Sequence, residues 1–224
     1  MNDHLRVPER LRHALERELG AVRPLYPPGL RVLGVFGSVV VLLAVVSLFG
    51  GVRGDLGVLG PWAGWGTTLA ELMAGSLLIW LALREAIPGR SLPVLLEAAA
   101  LVLATSVQVT AAILAWSVQP VLPPVGSGNV CAVCFSLEAL MGLPALVLTL
   151  WLVARAYPVR PVWAGVLGGA GAGMVADGLQ HLVCPISDLR HVLVWHGGAI
   201  LGLAAVGGLA GAVLRWWRRR NQGG

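Results

Sequence analysis

Three cysteines and a nearby group of aspartate and histidine residues are the side chains of this sequence best suited to chemistry. Cys131 and Cys134 form a C-x-x-C pair, which can close a redox disulfide or supply two soft ligands to a metal. Asp177, His181 and Cys184 follow at spacings of four and three, which would place them on one face of a helix. The sequence therefore predicts a redox or sensor site built from the three cysteines and His181.

The same side chains can also bind a metal. Thiolate, imidazole and carboxylate groups are ligands of Zn²⁺ and related transition ions. We predict a ligand set of His181, Cys184, Cys134 and Asp177, with zinc as an example of the ion. One cysteine outside the C-x-x-C pair is too few for a four-thiolate site, and no cofactor is identified with certainty. An inert cysteine pair, or one long-range disulfide to Cys184, stays open.

The elements that position these residues are membrane helices. Of the 224 residues, 57% are apolar and 12% are charged, whereas soluble domains have roughly 45–50% and about 25%. Six apolar runs of about 20 residues can each cross a hydrocarbon core of roughly 30 Å as helices, because lipid offers the backbone no hydrogen-bond partner. We predict spans at Val32–Gly50, Ala63–Leu83, Pro93–Trp116, Leu137–Ala156, Val162–Val183 and Val192–Leu214.

Arginine sets the orientation of these spans. All sixteen basic residues are Arg, and with the N-terminus inside, fourteen of them fall in inner segments and only Arg53 and Arg190 in outer ones. This is a strong positive-inside pattern. It predicts an all-α, six-helix transmembrane bundle with both termini cytoplasmic, in a bacterial inner membrane, and it explains the net charge of +5 without nucleic acid. The predicted division is a cytoplasmic segment 1–30, a membrane domain 31–217 and a tail 218–224.

Besides Glu138 at the start of the fourth span, three carboxylates fall inside the predicted spans: Glu71, Glu97 and Asp177. An ionisable group in a membrane is costly and usually faces the bundle interior with a partner. His181, one turn from Asp177, is the natural partner. The carboxylates can mark a proton path, or they can be protonated and hydrogen-bonded between helices. Near the outer surface, His196 is interpreted as an interfacial side chain beside Trp195, and Glu138 is expected to begin the fourth helix.

The first 30 residues predict a short amphipathic helix followed by a stiff linker. Leu11, Leu15 and Leu19 recur every four residues, and Gly20 can close the helix. Such a short helix is marginal alone in water, so its leucine stripe needs a cover. That cover can be the lipid surface, the membrane domain itself or a partner protein.

Glycines at intervals of four mark the fifth and sixth spans. They comprise Gly165, Gly169 and Gly173, the pair Gly198 and Gly202, and the pair Gly207 and Gly211. Small residues at this spacing let two helix backbones approach closely. The two spans are therefore predicted to pack as a tight pair, with a homodimer face as the alternative.

Four stretches resemble the six-span membrane anti-sigma factors of the NrsF and CarR type. They are the N-terminal run from Arg12 through Leu19 to Pro24, Cys134 to Pro144, Ala156-Tyr-Pro-Val-Arg-Pro161 with the glycines that follow, and His181-Leu-Val-Cys-Pro185 with Trp195-His196 and Leu214-Arg-Trp216. The family pattern has one cysteine at each of the places that Cys134 and Cys184 occupy. Cys131 is additional here, and His196 stands where the family commonly has Tyr.

The resemblance implies a non-enzymatic negative regulator of transcription. Such a protein would hold an extracytoplasmic-function sigma factor inactive at the membrane through Leu11, Leu15 and Leu19, and release it on an envelope, oxidative or stress signal. In a CarR-like member the signal would be light and the regulated genes would be those of carotenoid synthesis.

Two other functions are left open by the residues. A membrane thiol–disulfide oxidoreductase would use Cys131 and Cys134, although Cys184 alone cannot supply a second thiol pair. A small proton-coupled transporter would use Glu71, Glu97 and Asp177, although the chain has no internal repeat or broken-helix pair.

Overall fold

A computed structural model describes residues 9–10, 12–13, 26–118 and 128–222. These residues are helical with short connections and contain no β-strand. Six helices among them are long and apolar enough to cross a membrane. The predicted all-α class, with six helices long and apolar enough to span a membrane, is therefore confirmed. Leu11, Leu15 and Leu19 lie outside the described residues.

The helices are numbered here in chain order. Helix α1 is Pro28–Gly50, α2 is Leu56–Glu85 with a π-helical stretch at Pro61–Gly66, and α3 is Val94–Val118. Helix α4 is Gly128–Arg155, α5 is Pro161–Gln180, and α6 starts with a turn at Leu189–His191 and a π-helical stretch at Val192–His196 before its α-helical part at Gly197–Gln222.

Helix α5 is the centre of the bundle. It packs most extensively against α6 and α2, and also against α4, while α1 and α3 lie outside it on α4 and α2. Nearly all of its residues are buried, although its sequence is mostly Gly, Ala and Val. Large apolar side chains such as Leu95, Met73 and Leu201 point outward from the other helices. Because lipid does not drive helices together by the hydrophobic effect, close packing of small residues is what holds α5 in place.

The close approach of α5 and α6 that the glycine spacing predicts is present in the structure. A Cβ atom at Gly165 would overlap the backbone of Gly207, and one at Gly169 would overlap the carbonyl of Leu203. A Cβ at Gly211 would likewise meet the backbone of Pro161. The tight pair is confirmed, whereas a side chain at Gly202 would meet nothing within 4 Å, so that glycine takes no part.

Two helix boundaries differ from the prediction in a way that matters for the site. Helix α4 begins at Gly128 rather than Leu137, so Cys131 and Cys134 lie on its first turns, and Glu138 is well inside the helix rather than at its start. Helix α5 ends at Gln180, whose carbonyl accepts from both Val183 and Cys184 backbone N–H groups. His181 caps the helix, with its backbone N–H still bonded to the Asp177 carbonyl. Cys184 lies in the tight turn that follows, because Pro185 cannot extend the helix.

Candidate functional site

A cluster of sulfur and imidazole groups lies where the start of α4 meets the connection between α5 and α6. Cys134 Sγ is 3.6 Å from Cys184 Sγ, which in turn is 3.7 Å from His191 Nε2. Cys131 Sγ lies 3.5 Å from Nδ1 of the same histidine. All three cysteines are free thiols and buried. We call these four residues, Cys131, Cys134, Cys184 and His191, the thiol cluster.

The π-helical start of α6 brings two histidines into the bundle. In a π-helix the wider turn puts residues five apart nearly above one another, which is the spacing of His191 and His196. Their ring centroids are 5.3 Å apart, and the two rings have a T-shaped arrangement with an interplanar angle of 70°. The carboxylate of Asp188 accepts from the backbone N–H of His191 at 2.8 Å and so caps the turn. The helix start is thereby held so that both imidazoles point inward.

Arg53, just after α1, fastens the loop that carries Cys184. Its backbone N–H donates to the Leu182 carbonyl at 2.9 Å, and its guanidinium donates to both oxygens of Asp55, at 2.6 and 2.9 Å. The same guanidinium reaches the Pro185 carbonyl at 3.3 Å and Ser187 Oγ at 3.1 Å. A buried arginine with this many acceptors restrains the loop, and with it the sulfur of Cys184.

A second cluster, which contains no sulfur, lies one layer deeper. Asp177 Oδ1 is 2.8 Å from His196 Nδ1, and Glu138 Oε2 is 3.3 Å from the same nitrogen. His181 Nε2 is 3.7 Å from Asp177 Oδ1 and 3.5 Å from Glu71 Oε1. The three carboxylate side chains are fully buried, and both imidazoles nearly so. We call these five residues, Glu71, Glu138, Asp177, His181 and His196, the carboxylate–histidine cluster.

Glu97 is held at the other end of the bundle. Trp163 Nε1 donates to its Oε2 at 2.5 Å, and Arg160 Nη2 is 3.6 Å from the same oxygen. Arg160 also donates to both oxygens of Glu85, at 2.5 and 2.8 Å. The start of α5 at Pro161 and Asp177 are separated by sixteen residues, or about 24 Å of helix. Glu97 therefore cannot join Glu71 and Asp177 in one site.

Among the residues that the structure describes, three groups outside the spans have pKa values displaced by their surroundings. Burial lowers the pKa of His181, so its neutral imidazole is favoured. The hydrogen bond that the Cys184 thiol donates to Cys134, together with burial, raises the pKa of Cys184. At the other end of the bundle the hydrogen bonds with Glu85 raise the pKa of Arg160. Near neutral pH the site thus presents a neutral imidazole at 181 and a protonated thiol at 184.

The predicted ligand set is thus divided between two neighbouring clusters. Cys134 and Cys184 fall in the thiol cluster, and Asp177 and His181 in the carboxylate–histidine cluster. Within each cluster, three donor atoms lie within 4.8 Å of one another, from Cys134, Cys184 and His191 in one case and from Asp177, His181 and His196 in the other. The expected partnership of Asp177 with His181 is present at 3.7 Å.

The interfacial interpretation of His196 was wrong, since this side chain is 1% exposed and central to the second cluster. The place of Glu138 in the second cluster was also missed, because a helix that starts at Leu137 would put Glu138 at the membrane surface. The signal that would have placed Glu138 inside is the run from Gly128 onward, which continues the helix two turns upstream. The five-residue spacing of His191 and His196 would have needed the π-helical stretch to be recognised.

Six helices long and apolar enough to cross a membrane, with a buried polar site at one end of the bundle, indicate a helical membrane protein. The sequence model of the family described as "NrsF: Negative regulator of sigma F" matches residues 15–217. The chain belongs to that family, and the resemblance noted in its motifs is confirmed. Membership indicates a negative regulator of the anti-sigma type rather than an enzyme.

A curated relative supports the same conclusion over a shorter region. The protein "Anti-sigma-F factor NrsF" of Caulobacter vibrioides (strain NA1000 / CB15N) is 38% identical over 77 residues. That alignment covers 34% of this chain and 36% of the relative, so the chain matches about a third of the relative's length. No solved structure shows a significant match.

Proposed function

We propose that this protein is an anti-sigma factor of the bacterial inner membrane that holds an extracytoplasmic-function sigma factor inactive at the cytoplasmic face. The observation that carries the proposal is the match of the sigma F regulator family to residues 15–217. It agrees with the name of the relative from Caulobacter. The sigma factor, and not DNA, is the proposed partner, because the arginines follow the ends of the spans rather than forming one basic surface.

The contacts that the arginines make with other residues support the proposed orientation. Arg160 lies beside Glu85, and Arg218 donates to the Ala154 carbonyl at 2.6 Å, so these arginines share one end of the bundle. The thiol cluster lies at the other end, where Arg53 contacts the loop of Cys184. The arginine-rich end is the one expected in the cytoplasm. Both termini are then cytoplasmic, and the thiols face the oxidising side, where disulfides persist.

The N-terminal segment is the proposed sigma-binding element. Leu11, Leu15 and Leu19 form an apolar stripe that must be covered. An amphipathic helix of this kind binds with its apolar face in a hydrophobic groove of a partner, which we propose is on the sigma factor. The inner connections with Arg84, Arg90, Arg155 and Arg160 are proposed to assist. We accordingly propose domain boundaries at residues 30 and 217, between the sigma-binding segment, the membrane domain and the tail.

The thiol cluster is the proposed sensor for an envelope oxidant. Cys134 and Cys184, with sulfurs 3.6 Å apart, are the pair closest to forming a disulfide, whose bond length is about 2.05 Å. In that step the two S–H bonds break, one S–S bond forms, and two protons and two electrons pass to an oxidant such as a peroxide or diamide. Light that generates such an oxidant would act through the same pair, as a CarR-like regulator of carotenoid genes requires. Binding of a thiophilic metal ion by the cluster is the alternative stimulus.

The sensor can act only if its two states differ in affinity for the sigma factor. Drawing Cys134 toward Cys184 would shift the start of α4 against the turn after α5. Helix α5 contacts α2, α4 and α6, whose far ends reach the arginine-rich side. Movement of this closely packed unit is the proposed route between sensor and partner segment.

The experiment that tests the function is co-expression of the full-length chain with each extracytoplasmic-function sigma factor of its host and a matching promoter reporter. One sigma factor should be repressed and should co-purify with the membrane protein. The triple variant Leu11→Asp, Leu15→Asp, Leu19→Asp should release it. The control variant Glu16→Ala, Arg17→Ala, Glu18→Ala changes the charged residues between the leucines and should still repress.

Repression that persists in the leucine variant at normal protein levels would remove the N-terminal segment from the proposal. If the wild-type chain neither represses nor co-purifies any of the sigma factors, the anti-sigma function itself is wrong.

A further inference from the structure

The carboxylate–histidine cluster contains more acceptors than the protein itself satisfies. Within the described residues, both carboxylate oxygens of Glu71, both of Glu138 and Oδ2 of Asp177 are buried without a hydrogen-bond partner. Nε2 of His181 and Nε2 of His196 are buried without one as well. A buried ionic group without a partner costs several kcal/mol. So many buried oxygen and nitrogen atoms without a hydrogen-bond partner require a bound ligand or additional protons.

The positions of the donor atoms suit a small cation. Donors bound at 2.0–2.1 Å around a tetrahedral ion stand about 3.3 Å from one another. The separations here are 2.8 Å from His196 Nδ1 to Asp177 Oδ1, 3.3 Å from that nitrogen to Glu138 Oε2, and 3.5 Å from His181 Nε2 to Glu71 Oε1. His181 Nε2 is 3.7 Å from Asp177 Oδ1, and the donor atoms of Asp177, His181 and His196 all lie within 4.8 Å of one another. Small rotations would bring these three onto one ion, with Glu71 and Glu138 beside them as further ligands.

The charges favour a dication. Three carboxylates bring a charge of −3 when all the acids are ionised and both imidazoles are in the neutral form that binds a metal. Arg53, which lines the same small cavity as His181 and His196, donates to Asp55 and to the 182–187 loop. A divalent ion neutralises most of this charge, and nitrogen and oxygen donors suit Zn²⁺, Fe²⁺, Co²⁺ or Mn²⁺ rather than the softer ions that thiolates select.

The surrounding packing allows this close approach of helices. A Cβ atom at Gly178, between Asp177 and His181, would lie 3.1 Å from the Thr68 carbonyl and 3.3 Å from Glu71 Cβ. The glycine lets α5 and α2 approach so that Glu71 reaches His181. A small cavity beside the cluster is lined by His181, His196 and Cys184 among others.

We propose that Glu71, Glu138, Asp177, His181 and His196 form a binding site for one divalent first-row transition ion, separate from the thiol cluster. The ion would join α2, α4, α5 and the start of α6. It would thus stabilise the packed arrangement of the bundle whether or not a sigma factor is bound. The site does not depend on the proposed function, because binding of the ion requires no sigma factor.

The first test uses the full-length protein, purified in detergent, with Cys131→Ser, Cys134→Ser and Cys184→Ser to remove the thiol cluster. After chelator treatment the protein is titrated with Co²⁺. We expect about one Co²⁺ per chain by elemental analysis, with visible absorption bands and no thiolate charge-transfer band. Asp177→Asn and His196→Ala in this background should each weaken Co²⁺ binding at least tenfold. Glu97→Gln, a buried carboxylate at the other end, should leave it unchanged.

The second test keeps the wild-type cysteines, so it does not depend on the folding of the triple variant. X-ray absorption at the metal edge separates nitrogen or oxygen ligands near 2.0–2.1 Å from sulfur near 2.3 Å. Wild-type protein loaded with one equivalent of Zn²⁺ or Co²⁺ should show a nitrogen and oxygen shell that is lost in His196→Ala. A shell of sulfur with a single histidine, no retained metal at all, or Co²⁺ binding unaffected by both cluster variants would overturn the site. None of these outcomes bears on repression of a sigma factor, which is measured separately.

Discussion

Asp177 on α5 and His196 at the start of α6 meet at 2.8 Å, with side chains that are 0% and 1% exposed. They are nineteen residues apart in sequence and are joined by the loop that carries Cys184. The contact therefore holds together the two helices that the α5–α6 connection joins, while Arg53 holds the connection itself through the Leu182 and Pro185 carbonyls. The two clusters share this frame, since His196 also meets the ring of His191 at 5.3 Å.

Replacing His196 tests how far the bundle depends on this contact. His196→Phe should lower the free energy of unfolding by about 3 kcal/mol or more, because it leaves Asp177 and Glu138 buried without their imidazole partner. Unfolding of the purified protein by a denaturing detergent, followed by tryptophan fluorescence, measures the change. Leu201→Phe, on the exposed face of the same helix, is the control and should have little effect. Equal unfolding curves for the wild type and His196→Phe would show that the contact carries no stability.

Gly169 and Gly202 form a matched pair for testing the α5–α6 contact. Gly169→Ala puts a Cβ into the Leu203 carbonyl, which is backbone and cannot rotate away, so a loss of about 1–3 kcal/mol or more is expected. Gly202→Ala meets nothing within 4 Å and should be neutral or stabilising by up to about 1 kcal/mol, since Ala favours helix more than Gly. The same detergent unfolding assay compares the two. Similar effects of both variants would mean that close packing is not what holds the pair.

Arg160 neutralises a buried carboxylate at the arginine-rich end. Arg160→Ala should destabilise the protein by about 3 kcal/mol, because the side chain of Glu85 is 0% exposed and loses a bidentate partner. Arg160→Lys should recover only part of this, since an ammonium group cannot form the fork of two hydrogen bonds. Arg90→Ala, which removes an exposed arginine at the same end, is the control. A loss no larger for Arg160→Ala than for Arg90→Ala would contradict the assignment.

Oxidation should join a particular pair of cysteines. Treating membranes with diamide is expected to form the Cys134–Cys184 disulfide, because their sulfurs are 3.6 Å apart on adjoining segments. Peptide mapping by mass spectrometry identifies the linkage. Cys131→Ser should preserve it, whereas Cys134→Ser should abolish it. A dominant Cys131–Cys134 disulfide would instead support the C-x-x-C pair as the redox unit, as an oxidoreductase requires.

The sequence was sufficient for the features that depend on local pattern. Runs of about 20 apolar residues predicted six helices because the membrane leaves the backbone no other spanning structure here. The four-residue spacing of Gly165 and Gly169 predicted the close α5–α6 pair for a similar reason: in a helix, period alone decides which residues share a face. The motifs around His181-Leu-Val-Cys-Pro185 were also sufficient to indicate the family.

The composition of the two clusters was decided by tertiary structure. The spacing of Asp177, His181 and Cys184 suggested one shared face, but α5 ends at Gln180 and the turn sends Cys184 toward α4 and His181 toward α2. Glu71 and Glu138 come from helices far away in sequence and reach His181 and His196 because the glycines of α5 let those helices approach. Sequence spacing determines directions within one helix, whereas distances between helices depend on how side chains of different segments fill the space between them. For that reason the donor residues could be named in large part from the sequence, and their division into a thiol cluster and a carboxylate–histidine cluster could not.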